Sequence, residues 1–588
     1  MFDTIIRGGT IVDGRGGKPY VADLAISGGH IAAIGQLSGP AHEVIDAAGA
    51  LVTPGFIDVH THYDGQFMWD DTLDPSFSHG VTTAMGGNCG VGFAPASPAT
   101  RQALIEMMEG VEDIPAAVLN EGLKWDWQSF PDYLDRLGER HYSMDIAAQM
   151  THSALRVFVM GDRAVRHEDA TADDIATMCA LVREGMAAGA FGFSAARLVE
   201  HTSSKGENVP GTFATDEELL ALAGALGESG RGLFQFIPRG AVGNLLNLGI
   251  DREARLDEHR RMEALAKAAG RPLMYSLFQV ATQPGDMAMM LTETARANAE
   301  GIPLHPMITA RQIGMVHTLD SHHIFALKPS YQAIAHLPCA ERAAAMRDPA
   351  RREAILTEAD SPQTYGGEQG HIGFIGRLQI SMPGTYILSN TLDYEPGPER
   401  MVSALAQAAG MTPQAYLYDH YAAGDGSNYN INFTTNYADG NLDHVHDELL
   451  QPMIVSGGGD GGAHMRMICD ASLPTFQLAF WARDRQRGPK LPVETVVAKL
   501  AGEPAALYEM NDRGTLEVGK RADINVIDMD RLTLGNFHVA NDLPSGGARL
   551  LQDSSGYIAT MVAGTLTRRH DRDTGARPGR LLRSTAFA

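Results

Sequence analysis

Pro54-Gly55-Phe56-Ile57-Asp58-Val59-His60-Thr61-His62 is the stretch that decides the fold. An apolar run ends in two histidines one residue apart. Along a β-strand, residues i and i+2 share a face, so His60 and His62 project together from a strand end. Two convergent imidazoles are half of a first-row metal site, and zinc is the usual occupant. On an exposed edge the same pair means nothing, so the surrounding chain has to supply the other half.

Downstream, apolar strand-like runs alternate with helical patterns. Asp145-Ile146-Ala147-Ala148-Gln149-Met150, Ala190-Phe191-Gly192-Phe193-Ser194, Leu233-Phe234-Gln235-Phe236-Ile237 and Leu273-Met274-Tyr275-Ser276-Leu277 are such runs, and the last three each follow a helix. Repeated β-then-α over this length fits an α/β fold with a parallel sheet, a (β/α)8 TIM-type barrel above all. A doubly wound sheet has less support, because no Gly-x-Gly-x-x-Gly opens a helix after a strand. Both ends of the chain read differently. Thr4-Ile5-Ile6-Arg7, Asp23-Leu24-Ala25-Ile26, Ala522-Asp523-Ile524-Asn525-Val526-Ile527 and Tyr557-Ile558-Ala559-Thr560-Met561-Val562 are short strands set among glycine turns. The expected organisation is a β-sandwich domain built from residues 1–53 and 510–588, a barrel over 54–509, and an insertion at about 281–400, where the repeat is lost.

Composition narrows the function classes. The 588 residues hold 47 basic and 71 acidic side chains, a net charge of −24. Nucleic acids and anionic membranes want basic patches, so neither is an expected partner. No apolar run reaches spanning length, and the start lacks a basic segment followed by a long apolar one. Four cysteines, Cys89, Cys179, Cys339 and Cys469, are too sparse for a disulfide framework. A cytoplasmic protein acting on a small molecule is the expectation, and assembly into a homo-oligomer is compatible with it.

Two further stretches carry chemistry. Gly80-Val81-Thr82-Thr83-Ala84-Met85-Gly86-Gly87-Asn88-Cys89-Gly90 delivers a thiol at the next strand end; beside a metal a thiol deprotonates and ligates, whereas alone it is a small buried hydrophobe. Met453-Ile454-Val455-Ser456 runs into a glycine cluster carrying Asp460 and His464. An aspartate there can ligate zinc through oxygen or take a proton from water; on local grounds it is equally a turn residue.

Together these stretches resemble the amidohydrolase superfamily, specifically its D-aminoacylase or N-acyl-D-amino-acid deacylase group. The resemblance also takes in Ile6-Arg7-Gly8-Gly9-Thr10-Ile11-Val12-Asp13-Gly14, Gly189-Ala190-Phe191-Gly192-Phe193-Ser194 and Gly514-Thr515-Leu516-Glu517-Val518-Gly519. It implies a zinc-bearing barrel beside a two-ended β-sandwich, and hydrolysis of an amide. By position, His60, His62 and Asp460 match the ligands of one metal, and Cys89 matches a cysteine that ligates zinc and bridges two metals in this group. Asp460 is then also the proton acceptor.

The sequence departs from the pattern in the middle strands. Members with a tight second metal carry histidines on two consecutive strands, where this chain has Gln235 and then Ser276 and Gln279. A lysine associated with the substrate carboxylate is missing as well. One zinc is expected, and a second lacks its usual ligands. His201 is the best replacement, as a ligand or as a polariser of the scissile carbonyl. His152, His305, His322 and His323 read as hydrogen-bonded histidines, and Lys205 as a loop lysine rather than a carboxylated bridge. Arg311 and His464 are the candidates for binding substrate, Arg311 through paired hydrogen bonds to a carboxylate. The expected reaction is zinc-dependent cleavage of an N-acyl-D-amino acid. The alternatives are a cyclic amide or another amide, a non-catalytic binding protein on this scaffold, and a thiol enzyme using Cys89.

Overall fold

The computed structural model describes residues 1–243, 251–362, 384–388, 392–468 and 470–587. Among them, eight parallel strands form a barrel: β1 (Phe56–Asp58), β2 (Val81–Gly86), β3 (Asp145–Ala148, resuming as Met150–Thr151), β4 (Gly192–Ala196), β5 (Leu233–Ile237), β6 (Leu273–Ser276), β7 (Leu304–Ile308) and β8 (Val455–Ser456). Neighbours pair in chain order, β1 with β2 through to β7 with β8. Beyond the strand ends, Thr61 bridges Gly461 in parallel register and closes the ring.

The barrel's interior follows from the period of two. Ile57, Met85, Ala147, Leu233, Met274, Met307 and Val455 meet in one buried cluster, with Phe191 arriving from the residue before β4. The helices preceding β4, β5 and β6 start where the sequence supplies an N-cap. Thr171, Thr215 and Asp251 each accept a backbone N–H from the first turn of Ala172–Ala188, Asp216–Gly227 and Arg252–Ala269.

The described residues of both termini share a nine-stranded sheet. Leu51–Pro54 lies between Phe2–Ile11 and Ile524–Ile527, with Val52 opposite Val526. Ile6, Ile11, Leu24, Val52, Ile524, Val526 and Met561 pack into a core of their own. Two pieces of the C-terminal segment leave this sheet for the barrel. The hairpin of Thr533–Ala540 and Arg549–Ser555 buries Phe537 and Leu550 in the barrel's outer core, and Leu581 bridges Ile146 of β3.

The insertion lies later than the expected 281–400. Helix Gly285–Ala299 and strand Leu304–Ile308 belong to the barrel repeat. His305 and Pro306 interrupt the apolar pattern of β7, and proline removes a ladder donor, which hides the strand. The added material falls between β7 and β8. It includes a three-stranded sheet of Gly314–His317, Thr385–Ile387 and Asn430–Phe433 and a helical cluster around Phe325, Tyr331 and Tyr418. Cys469, and residues 363–383 and 389–391 of the expected insertion, lie outside the described residues.

Candidate metal centre

At the C-terminal mouth of the barrel, β1 and β8 exchange backbone hydrogen bonds just past their ends. Asp460 N–H donates to His60 O at 3.0 Å and His62 N–H donates to Gly461 O at 2.7 Å. This stitch brings residue 460 beside residue 60. The Asp460 carboxylate Oδ1 lies 3.3 Å from His60 Nε2 and 3.8 Å from His62 Nε2. The two imidazoles converge, their ring centroids 5.3 Å apart.

The loop after β2 supplies the thiol. Asn88 donates through Nδ2 to Thr61 O and Met85 O, tying this loop to the His-x-His segment. Gly87 sits at φ +80, and a Cβ there would meet Gln149 O at 2.2 Å, so the chain passes only as glycine. Cys89 Sγ then lies 3.3 Å from His60 Nε2. His60, His62 and Cys89 form the tight trio of ligand atoms, all within 4.8 Å of one another; Asp460 flanks it. Cys89, Asp460 and His464 all adopt left-handed φ values of 53°, 45° and 46°, a conformation that stores strain in non-glycine residues and clusters at functional sites.

The electrostatics fit a cation. Burial pushes the Asp460 carboxyl up to about 8, with Asp470 and Asp58 adding repulsion. It pushes Asp58 and Asp64 up to about 7, and raises Cys89 and Glu112 well above their ordinary ranges, with neighbouring acids contributing. Among the described residues, no lysine or arginine is one of the groups that move these five. Desolvation holds His60 near 3, followed by the influence of His464 and His201, and His62 is held well below its ordinary value by burial, then by His60, His464 and His201. Neutral imidazoles, a thiol and the flanking Asp460 form a donor set that suits a divalent ion, and Asp58, Asp64 and Glu112 each keep a buried oxygen without a hydrogen-bond partner.

His201 and His464 stand close enough to depress the two ligand histidines. Desolvation holds His201 itself near 4, and its Nδ1 has no hydrogen-bond partner. Arg311 is paired with an acid near Asp460. Its Nη2 donates to Asp470 Oδ1 at 2.9 Å and to Ser472 Oγ, and its guanidinium lies over Tyr394. His152 pairs with Glu218 at 2.7 Å, Lys205 with Glu106 at 2.7 Å, and His322 with Asp113 at 3.4 Å; His323 stacks edge-on against Tyr331. In β5 and β6, Gln235 and Ser276 are buried, and Gln279 donates to Asp439.

Two acids at the site escaped the reading of the sequence. Asp64 continues the alternation His60, His62, Asp64, a signal that was present. Glu112 ends helix Arg101–Glu112 and is followed by Asp113. Acids are unfavourable at a helix C-terminus, and a pair of them inside the apolar frame Val111 and Ile114 was the available cue.

Comparison with known proteins bears on the family and the fold. A sequence profile described as Amidohydrolase family matches residues 43–567. An uncharacterized protein of Mycobacterium tuberculosis is 26% identical over 603 residues, covering 96% of this chain and 91% of its own length. D-aminoacylase of Alcaligenes xylosoxydans xylosoxydans is 36% identical over 230 residues, 39% of this chain and 43% of that enzyme. A crystal structure of N-acyl-D-glutamate deacylase from Bordetella bronchiseptica, complexed with zinc and a phosphonate inhibitor, shares the fold with a TM-score of 0.63 at 23% identity, covering 99% of each chain.

Proposed function

The chain belongs to the amidohydrolase family, and from that membership we propose that it hydrolyses the amide bond of an N-acyl-D-amino acid with one zinc ion. That it is a metal-dependent hydrolase of carbon–nitrogen bonds follows from the family and the fold. The finer reading rests on one observation, the convergence of His60, His62 and Cys89 with Asp460 at the barrel mouth. The D-aminoacylase of Alcaligenes, similar over part of this chain, supports the substrate class. No described helix is long and apolar enough to cross a membrane; cytoplasmic residence and homo-oligomeric assembly are part of the proposal.

His60, His62 and Cys89 would hold the ion, with Asp460 as the flanking carboxylate. When bound, zinc supplies a Lewis acid that acidifies water and polarises a carbonyl. Asp460 accepts the proton released from water on its carboxylate and delivers it to the leaving nitrogen. Burial, with Asp470 and Asp58 nearby, raises the proton affinity of this carboxyl above that of an ordinary aspartate. His201, held neutral by desolvation, donates an N–H to the carbonyl oxygen as charge develops there. His464, at the edge of the site, orients the substrate. The missing middle-strand histidines favour one ion, and the pairing of Arg311 with Asp470 leaves the substrate carboxylate to another group.

A second reading is a cyclic amide or another amide. It is favoured by Leu277 and Phe278 following β6, both buried and apolar, on the strand where second-metal members carry a histidine. The test is a metal analysis combined with a panel of N-acyl-D- and N-acyl-L-amino acids and cyclic imides. The proposal expects about one zinc per chain and turnover of an N-acyl-D-amino acid that a chelator abolishes. Turnover of a cyclic imide alone selects the second reading, and a metal-free protein inert toward the panel refutes both.

A further inference from the structure

Glu112 lies outside the ligand set, is 1% exposed, and touches two imidazoles of the site. Its Oε1 is 3.4 Å from His62 Nδ1 and its Oε2 is 3.7 Å from His464 Nε2. Glu112 Oε1 and His62 Nδ1 are both buried without a hydrogen-bond partner, and each is the other's near polar neighbour at 3.4 Å. His62 meanwhile turns its Nε2 toward Asp460. A neutral imidazole that ligates through Nε2 must carry its proton on Nδ1, and a carboxylate placed there fixes both the tautomer and the ring.

The position of Glu112 is built rather than incidental. It ends the helix Arg101–Glu112, and the chain turns at Asp113 with a left-handed φ of 52°. His464 N–H donates to Glu112 O at 2.5 Å. Arg466 Nη2 and His322 Nε2 reach the two oxygens of Asp113 at 3.5 and 3.4 Å. The corner is thus clamped by the loop after β8 on one side and by the β7–β8 insertion on the other. No lysine or arginine forms an ion pair with Glu112 among the described residues. A buried carboxylate without such a partner is costly unless another cation compensates it, and a metal ion across His62 would do so.

We propose that Glu112 is a positioning residue whose carboxylate orients the ligand His62 and the substrate-side His464 together. This rests on the reading of the site as a metal-dependent hydrolase centre. Through Glu112, a shift of the His464 loop is felt at a metal ligand, and the reverse.

Three variants test it in the full chain. Glu112→Leu removes both acceptor oxygens, Glu112→Gln keeps one, and Glu112→Asp keeps the charge but withdraws it by one methylene. Zinc affinity is read by competition with a chromogenic chelator, and ligand geometry from the visible spectrum of the cobalt-substituted protein. Loss of such a partner costs about 10–100-fold in metal affinity, so Glu112→Leu is expected to weaken zinc binding by that factor and to shift the cobalt bands. Glu112→Gln is expected to recover most of the affinity, and Glu112→Asp to fall between. If Glu112→Leu does not fold, the other two carry the test. Wild-type affinity and unchanged cobalt bands in the folded variants overturn the positioning role. So does an equal loss in Glu112→Gln and Glu112→Leu, which would assign the effect to charge. In either case a zinc-loaded, active wild type leaves the hydrolase reading standing, whereas a wild type that binds no zinc brings down both.

Discussion

Replacing Asp460 by Asn separates the chemistry of this residue from its structural part. The backbone at 460 is left-handed, at φ 45°, and asparagine is among the few non-glycine residues that tolerate that region. Its N–H bond to His60 O is a main-chain bond and survives the change. The side chain keeps its shape and its exposure of about 17%, while a carboxylate that burial disfavours is removed. Stability of the metal-free protein is therefore not expected to fall. Activity is. Asn cannot accept a proton, and loss of a general base costs about 10²–10⁴ in rate, or roughly 3–5 kcal/mol of barrier. The oxygen nearest both imidazoles becomes a neutral amide donor or acceptor, so zinc affinity also weakens. The assay compares kcat on the best amide of the panel, zinc content at saturating metal, and thermal melting by circular dichroism. A fully zinc-loaded Asp460→Asn protein that retains more than about a tenth of the wild-type kcat removes Asp460 from proton transfer. A variant that loses its fold refutes the claim that the 460 backbone is indifferent to the change.

Other outcomes follow from the same geometry. Gly87→Ala places a Cβ 2.2 Å from Gln149 O at φ +80; the strain alone costs about 1–3 kcal/mol, so melting temperature and zinc stoichiometry should both drop, and wild-type values for both would show that the Cys89 loop is not held this way. Glu448 is remote from the metal ligands in sequence, on helix Asp443–Leu449, and burial pushes its carboxyl from 4.5 up to about 8. The folded state then binds this proton more tightly than the unfolded chain. Stability from this group is complete below about pH 4.5 and lost as pH rises toward 8, by up to about 5 kcal/mol. Glu448→Gln should flatten that part of a urea-denaturation profile measured between pH 5 and 8, and an unchanged slope would contradict the assignment.

What the sequence disclosed and what it hid have physical causes. β1 was legible because an apolar run, a glycine and His-x-His coincide, and the same alternation would have reached Asp64. β4, β5 and β6 were legible as apolar runs after capped helices. β7 was not, because His305 and Pro306 break the pattern while their outer neighbours still fill the barrel. The termini announced one shared sheet, yet the hairpin 533–555 packs on the barrel, and nothing in its alternation says which core it will join. At the site, strand ends and glycine loops named His60, His62, Cys89 and Asp460, since the barrel forces strand ends together. Glu112 was hidden because it reaches the site from a helix end in the β2–β3 connection, and no local period records that. Arg311 was read as an anion binder from the paired hydrogen bonds a guanidinium offers a carboxylate; the carboxylate it meets within the chain is Asp470, 159 residues away.

The central claim is that one ion sits among these side chains, and anomalous diffraction at the zinc edge from crystals of the zinc-loaded protein tests it most directly. The account predicts a single strong peak within about 2.0–2.3 Å of His60 Nε2, His62 Nε2 and Cys89 Sγ, with Asp460 beside it. A well-ordered barrel mouth with no peak there, or a peak held by other residues, would contradict it.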